Sequence, residues 1–236
     1  MKKKFKLSPM LLLAIAAVLL LVSTVGSTQA ALLYYSDNYV ATVETFDIGT
    51  VLVENGDPME GDTALLGNLL GDDTKIVPGK TYDEVIQVAN SGQIDSYVRV
   101  LIRKYWLDES GKKASDKLDP SYIELIPSAS DKWKKSDDST AEREIFYYKD
   151  ILKTSKTNKK EMTDAVIDGI KINGAILKEV IQHTNGNKIS YEYKYDGCKF
   201  VVEVEAQAIQ THNAVDAIKS AWGVNATIED GVLTVN

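Results

Sequence analysis

The residues able to cut a bond or hold a metal are few in this chain. His183 and His212 are its two histidines, and Cys198 is its single cysteine. Neither histidine belongs to an H-E-x-x-H pair, which places two zinc ligands one helical turn apart with a glutamate beside the metal. A zinc site built from both would need a distant carboxylate, and their polar, turn-rich surroundings suit loop or capping roles better. No G-x-S-x-G is present to set a serine on a strained elbow. Cys198 follows a turn beside Lys199 with no histidine near in sequence, and reads as a small buried hydrophobe. With one cysteine no intrachain disulfide can form, and an intermolecular one is the sharper alternative. The acids Glu54, Asp57, Glu60, Asp62, Asp72 and Asp73 crowd a Gly- and Pro-rich stretch that could hold calcium. Their spacing does not match a twelve-residue calcium loop, so a solvated polar loop is the plainer reading. The 34 acids also offer too many pairs to single out a glycosidase dyad. The expectation is a protein that is not an enzyme and uses no metal or cofactor.

The elements that would position any function begin after an export signal. Lys2, Lys3, Lys4 and Lys6 precede an apolar run from Met10 to Val25, and Thr28 and Ala30 supply the small residues of a cleavage site. Cleavage is expected between Ala30 and Ala31, with a cut after Ala31 as its neighbour. A retained anchor is the competing reading, because the run is close to the length of a membrane span. The expected organisation is a signal peptide over 1–30 and one domain over 31–236, with no permanent membrane anchor once the signal is removed. Loss of four lysines leaves 23 basic residues against 34 acids, a formal charge of −11. Such a surface repels nucleic acid and favours solubility.

Most of the remaining chain carries strand character. Tyr39 to Val53 is rich in β-branched and aromatic residues, and Glu54 to Lys75 reads as a loop around a short apolar turn at Leu65 to Leu70. Pro78-Gly79 and Asn90-Ser91-Gly92 punctuate two strands, Tyr82 to Ala89 and Tyr97 to Trp106. In the second, Val98, Val100 and Ile102 alternate with Arg99, Leu101 and Arg103, the pattern of a half-buried strand. Asp108 to Arg143 is polar and loop-like around a short strand at Tyr122 to Ile126, and Glu144 to Leu152 returns to strand. Met162 to Gln182 suits a strand followed by a short helix, since Gly169 and Gly174 weaken one long helix. Asp196-Gly197 is suited to a type I′ turn, predicting a hairpin in which Tyr191, Tyr193 and Tyr195 share a buried face with Cys198, Phe200, Val202 and Val204. Asn213 is placed to cap a helix presenting Val215, Ile218 and Trp222, with Gly223 at its end. A last hairpin turns at Asp230-Gly231.

The segment from Ala30 and Ala31 through Tyr34, Tyr35, Ser36 and Asp37 to Thr45, Phe46, Gly49 and Thr50 resembles the start of the TasA/camelysin family of exported Gram-positive biofilm matrix and surface proteins. A second block is similar too: Pro78-Gly79, the strand to Val88, Asn90, Gly92, then Val98 and Val100. Together the two cover about a quarter of the chain after the signal. The resemblance implies a mainly β, jelly-roll-like antiparallel β-sandwich with a few short helices, in which the second block forms adjoining strands. It also implies a secreted protein of the cell surface or extracellular matrix that self-associates into fibres, with a co-exported matrix protein as a further partner. Ala31 to Thr45 would be a donor strand added to the next subunit, with Leu33, Tyr35, Tyr39 and Val43 as its anchors, a mode that gains main-chain hydrogen bonds along a sheet edge. Two alternatives stay open: a monomeric surface adhesin binding glycan or protein through loops such as Asp131 to Glu144, and a camelysin-like metalloprotease, for which no ligand motif is present.

Overall fold

The computed structural model describes residues 34–35, 48–59, 65–67, 69–70, 75–155, 161–186 and 188–236. Their strands, in chain order, are β1 (Tyr34–Tyr35), β2 (Thr50–Glu54), β3 (Asp57–Pro58), β4 (Thr81–Asn90), β5 (Ser96–Leu107), β6 (Ile123–Pro127), β7 (Trp133–Lys135), β8 (Arg143–Tyr148), β9 (Ile167–Ile172), β10 (Val180–Asn185), β11 (Lys188–Tyr193), β12 (Lys199–Gln210), β13 (Ala226–Glu229) and β14 (Val232–Val235). One α-helix, α1 (Ala214–Trp222), and two 3-10 turns, Pro120–Tyr122 and Gly174–Lys178, complete the described elements.

Two five-stranded antiparallel sheets form from these, one in the order β1-β12-β5-β8-β7 and the other β3-β2-β4-β9-β6. The axis of the first is the pairing of β5 with β12, in register over twelve residues from Lys199 opposite Leu107 to Gln210 opposite Ser96. Side chains of the two sheets mesh in one core. Val98, Val100, Ile102 and Trp106 of β5 and Val202 and Ala206 of β12 pack with Tyr82, Ile86 and Val88 of β4 and Ile167, Ile170 and Ile172 of β9. The architecture is an antiparallel β-sandwich, as the strand patterns lead one to expect.

At one end the first sheet is covered on its other face as well. Tyr97, Leu101, Ile145, Tyr147 and Ile209 pack against Ala214, Ile218 and Trp222 of α1 and against Ala226 and Leu233 of the β13–β14 hairpin. Strand β5 is therefore buried on both faces from Ser96 to Ile102, not half-buried as its alternation predicts. Arg99, on the helix side, is accommodated because its Nε donates to Gln207 at 2.6 Å and its guanidinium lies 5.1 Å from the Trp222 ring. In α1 the buried face is Ala214, Ile218 and Trp222, while Val215 is exposed. Asn213 sits in the left-handed region and makes no side-chain cap bond, whereas Gly223 takes the left-handed C-cap as expected.

Two further expectations are corrected. The second family-like block does not form adjoining strands: β4 and β5 lie in opposite sheets, because the Asn90-Ser91-Gly92 turn carries the chain across the sandwich. The turn is pinned where Asn90 Nδ2 donates to the Ile94 carbonyl at 2.9 Å. Nor is Lys188 to Gln210 one hairpin about Asp196-Gly197. Strand β11 pairs with β10, Gln182 opposite Tyr191, while β12 pairs with β5. A twelve-residue partner outcompetes a six-residue one, and Tyr195 drops into an aromatic nest 4.9 Å from Trp106 and 5.7 Å from Tyr122. Tyr195 is buried, whereas Tyr191 and Tyr193 are exposed. Met162 to Gln182 does hold a strand, β9, and a short 3-10 turn, with β10 beginning before its end.

Candidate assembly surface

The edges of the first sheet decide what can be added to it. Strand β12 pairs with β5 along its full length on one side, but on the other the described partner is only β1, with Tyr34 opposite Ala208 and Tyr35 opposite Gln207. Among the described residues, no strand pairs with Lys199 to Ala206 on that side. This edge is eight residues long, the length of an ordinary strand. Its residues alternate: Phe200, Val202 and Val204 turn toward the core, while Glu203 and Glu205 lie on the other face. Glu203 accepts from the Tyr105 hydroxyl at 2.8 Å, and Glu205 pairs with Arg103 at 3.5 Å. Acids on an open edge oppose indiscriminate pairing.

Of the expected donor segment, Tyr34 and Tyr35 are described, and they pair at home with the chain's own β12. Leu33, Tyr39 and Val43, and the cleavage residues Ala30 and Ala31, lie outside the described residues. The adhesin loop, Asp131 to Glu144, is in part a strand: β7 pairs with β8, Trp133 opposite Tyr148, and closes the far edge of the sheet.

The residues with chemical potential are dispersed. His183 is exposed on β10, its Nε2 2.9 Å from Glu192, and His212 is exposed just before α1. Cys198 is half-buried beside a groove of about 610 Å³ that also takes in Asp108, Glu109, Ile181 and Tyr193. Burial first, then the negative charges of Glu109, Asp108 and Asp196, push its thiol upward, so it is a poor nucleophile. Among the described residues, no three histidine, cysteine or acidic side chains are arranged to hold a metal ion. Of the acidic loop, Glu60, Asp62, Asp72 and Asp73 lie outside the described residues, while Asp57 is exposed in β3.

Glu84 is the group that the sequence reading passed over. It is fully buried, its Oε2 accepts from Asn55 Nδ2 at 3.2 Å, and its Oε1 has no hydrogen-bond partner among the described residues. Burial, and then the neighbouring Glu54 carboxyl, raise it to about 7 against the lowering influence of Asn55. Glu54 itself accepts from the Leu66 backbone N–H at 2.6 Å, tying the apolar turn at Leu65 to the sandwich. Asn55, held at positive φ, clasps Val85 with both its backbone and its side chain, its Oδ1 accepting from Val85 N at 2.8 Å. The signal was readable in β4: Glu84 shares parity with Tyr82, Ile86 and Val88, and so falls on the core face.

Among the described residues no helix is long and apolar enough to cross a membrane. Comparison with protein-family models, curated proteins and solved structures finds no match to this chain.

Proposed function

We propose that this chain is an exported structural protein of the cell surface or biofilm matrix, which assembles into fibres when the segment Ala31 to Thr45 of one copy adds as a strand to the next. The observation that carries the reading is the edge of β12. The N-terminal segment already docks there through Tyr34 and Tyr35, and eight further residues of the same edge have no strand partner among the described residues. A strand that pairs at home over two residues gains main-chain hydrogen bonds by extending along the same edge of a neighbour. The resemblance of the opening segment to TasA/camelysin proteins supports the same reading, as does an export signal placed directly before it.

The test is negative-stain electron microscopy with size-exclusion chromatography on the chain beginning at Ala31 and on one beginning at Glu44, with circular dichroism to show that both are folded. Filaments from the first and none from the second support strand donation. Monomers from both, across concentration, pH and calcium, overturn it.

A further inference from the structure

The ribbon β10–β11 is out of keeping with the rest of the fold. All of its described residues are exposed, and among the described residues its strands pair only with each other. Two strands alone are marginal in water, and stability generally needs a third strand or a covered face. The register sorts the ribbon into two unlike faces. Val180, Tyr193, Gln182, Tyr191, Thr184 and Ile189 share one, and Ile181, Glu192, His183, Ser190, Asn185 and Lys188 share the other. The first face bears an uncovered apolar group, with Tyr191 64 % and Ile189 55 % exposed. An uncovered apolar face beside an unpaired strand edge is a docking surface.

We propose that a second copy of this chain occupies it, through antiparallel pairing of β11 with β11 about a two-fold axis at Ser190. The sequence of the strand is self-complementary in that one register. Lys188 comes opposite Glu192 of the second copy on the polar face, twice by symmetry, and Ile189 comes opposite Tyr191 on the apolar face. Unlike charges and aliphatic–aromatic pairs directly across two strands are both stabilising. A slip of one residue sets the apolar side chains of one copy against the polar side chains of the other. Moving the axis to Tyr191 brings Lys188 opposite Lys194, a like-charge contact. The edge of β10 lacks this property: an axis at His183 sets His183 against itself and Ile181 against Asn185, with no pair of unlike charges. Glu192, held by His183 in its own ribbon, would gain Lys188 of the second copy as a further partner.

The result is a four-stranded sheet with one continuous apolar face. It is an isologous contact, closing at two copies, and differs in kind from strand donation, which propagates. The area of a six-residue edge falls below the roughly 1,200–2,000 Å² of standard stable complexes, so the dimer forms and dissociates with concentration.

The experiment uses the full chain as its host makes it, with Cys198→Ser removing the native thiol. Cysteine introduced by Ser190→Cys lies on the axis, where opposed Cα atoms in an antiparallel pair are about 4.5–5.5 Å apart and within reach of a disulfide. Mild oxidation is expected to give a disulfide-linked dimer from Ser190→Cys, at least tenfold more than from Tyr191→Cys or from the exposed control Asp138→Cys. Adding Lys188→Glu to Ser190→Cys is expected to cut cross-linking about tenfold, since two attractive pairs become two repulsive ones. A mixture of Lys188→Glu and Glu192→Lys chains restores it, because each supplies the charge the other lacks. Cross-linking of Ser190→Cys no greater than that of Asp138→Cys, preferential cross-linking at Tyr191, or indifference to Lys188→Glu would each overturn the proposal. Strand donation is read separately: the chain beginning at Glu44 keeps the ribbon contact, and Lys188→Glu leaves filament formation intact.

Discussion

Lys104 Nζ lies 2.7 Å from Glu144 in its own sheet and 2.6 Å from the carbonyl oxygen of Ile123 in the opposite one, so a single buried ammonium joins the two halves of the sandwich. Both side chains are nearly fully buried, and Lys135 supplies Glu144 with a second partner at 2.5 Å. Burial alone would raise the Glu144 carboxyl, but the hydrogen bonds and charges of Lys104 and Lys135 outweigh it and hold it low. Removing one member of such a pair strands the other in the core. Lys104→Met is expected to cost about 3–5 kcal/mol, and Lys104→Met with Glu144→Leu to recover most of that loss. Urea denaturation of the three proteins checks this, and equal losses in the single and double variants would contradict it.

Glu84 makes stability depend on pH in the opposite sense from Glu144. In the unfolded chain it titrates near 4.5, and in the folded chain near 7. The folded state therefore binds more protons across that window, so the contribution of Glu84 becomes steadily less favourable as pH rises through it. At one pKa unit per 1.4 kcal/mol the difference above pH 7 is roughly 3 kcal/mol. Glu84→Gln is expected to be more stable than the parent at pH 8 by an amount of that order, and nearly equal to it at pH 4.5. Denaturant midpoints at the two pH values decide it, and a gain that does not change with pH would refute the assignment.

Gly169 has no room for a side chain. A Cβ there would lie 2.7 Å from the carbonyl oxygen of Tyr82 and 3.2 Å from Thr81 Cγ2, where β9 runs against β4. Gly169→Ala should push the two strands apart at a cost of about 1–3 kcal/mol. Gly174→Ala makes a control, since the nearest backbone atom is 3.9 Å away. Thermal melts of the two variants should differ by several degrees.

Helix α1 contributes through one stripe of residues. Ile218 is fully buried against the sheet, and Ile218→Ala is expected to cost about 2–5 kcal/mol. Val215, at 41 % exposure, should cost under about 0.5 kcal/mol on the same change. Similar losses at both positions would mean that the helix packs by its other side.

The same dipeptide shows where the sequence is readable and where it is not. Asp230-Gly231 makes the expected hairpin, with φ of 51° and 82°, and the strands on either side pair in register from Ala226 opposite Val235. Asp196-Gly197 carries an identical turn signal, yet only Gly197 takes a positive φ and the flanking strands go to different sheets. At the C-terminus the nearest available partner is also the best one. At Asp196 the competition is settled by β5, about ninety residues back, and by the pocket that receives Tyr195, neither of which is visible in a local window. The strands themselves were legible because alternation reports burial directly. That β5 is buried on both sides was not, because Arg99 and Arg103 read as solvent-facing until Trp222 and Gln207 are seen to cover the first of them. Glu84 was legible by parity and was missed among the many acids. Of the expected anchors, Leu33, Tyr39 and Val43 lie outside the described residues, and only the backbone register of Tyr34 and Tyr35 bears on that segment.

The helix and hairpin that cover one end of the first sheet's outer face also limit the directions in which it can grow. With β4 and β9 on one side and α1, β13 and β14 over Tyr97, Leu101, Ile145, Tyr147 and Ile209 on the other, nothing can be laid on that end of the sheet without first stripping away a layer, whereas Arg103, Lys199 and Glu203 are exposed beyond it. At that end growth is left to the plane of the sheet, whose rims among the described residues are β1 with the adjoining Lys199 to Ala206 edge of β12 on one side and β7 on the other. Any chain that joins at those rims does so strand by strand, and an assembly built through them extends along a line rather than stacking in layers.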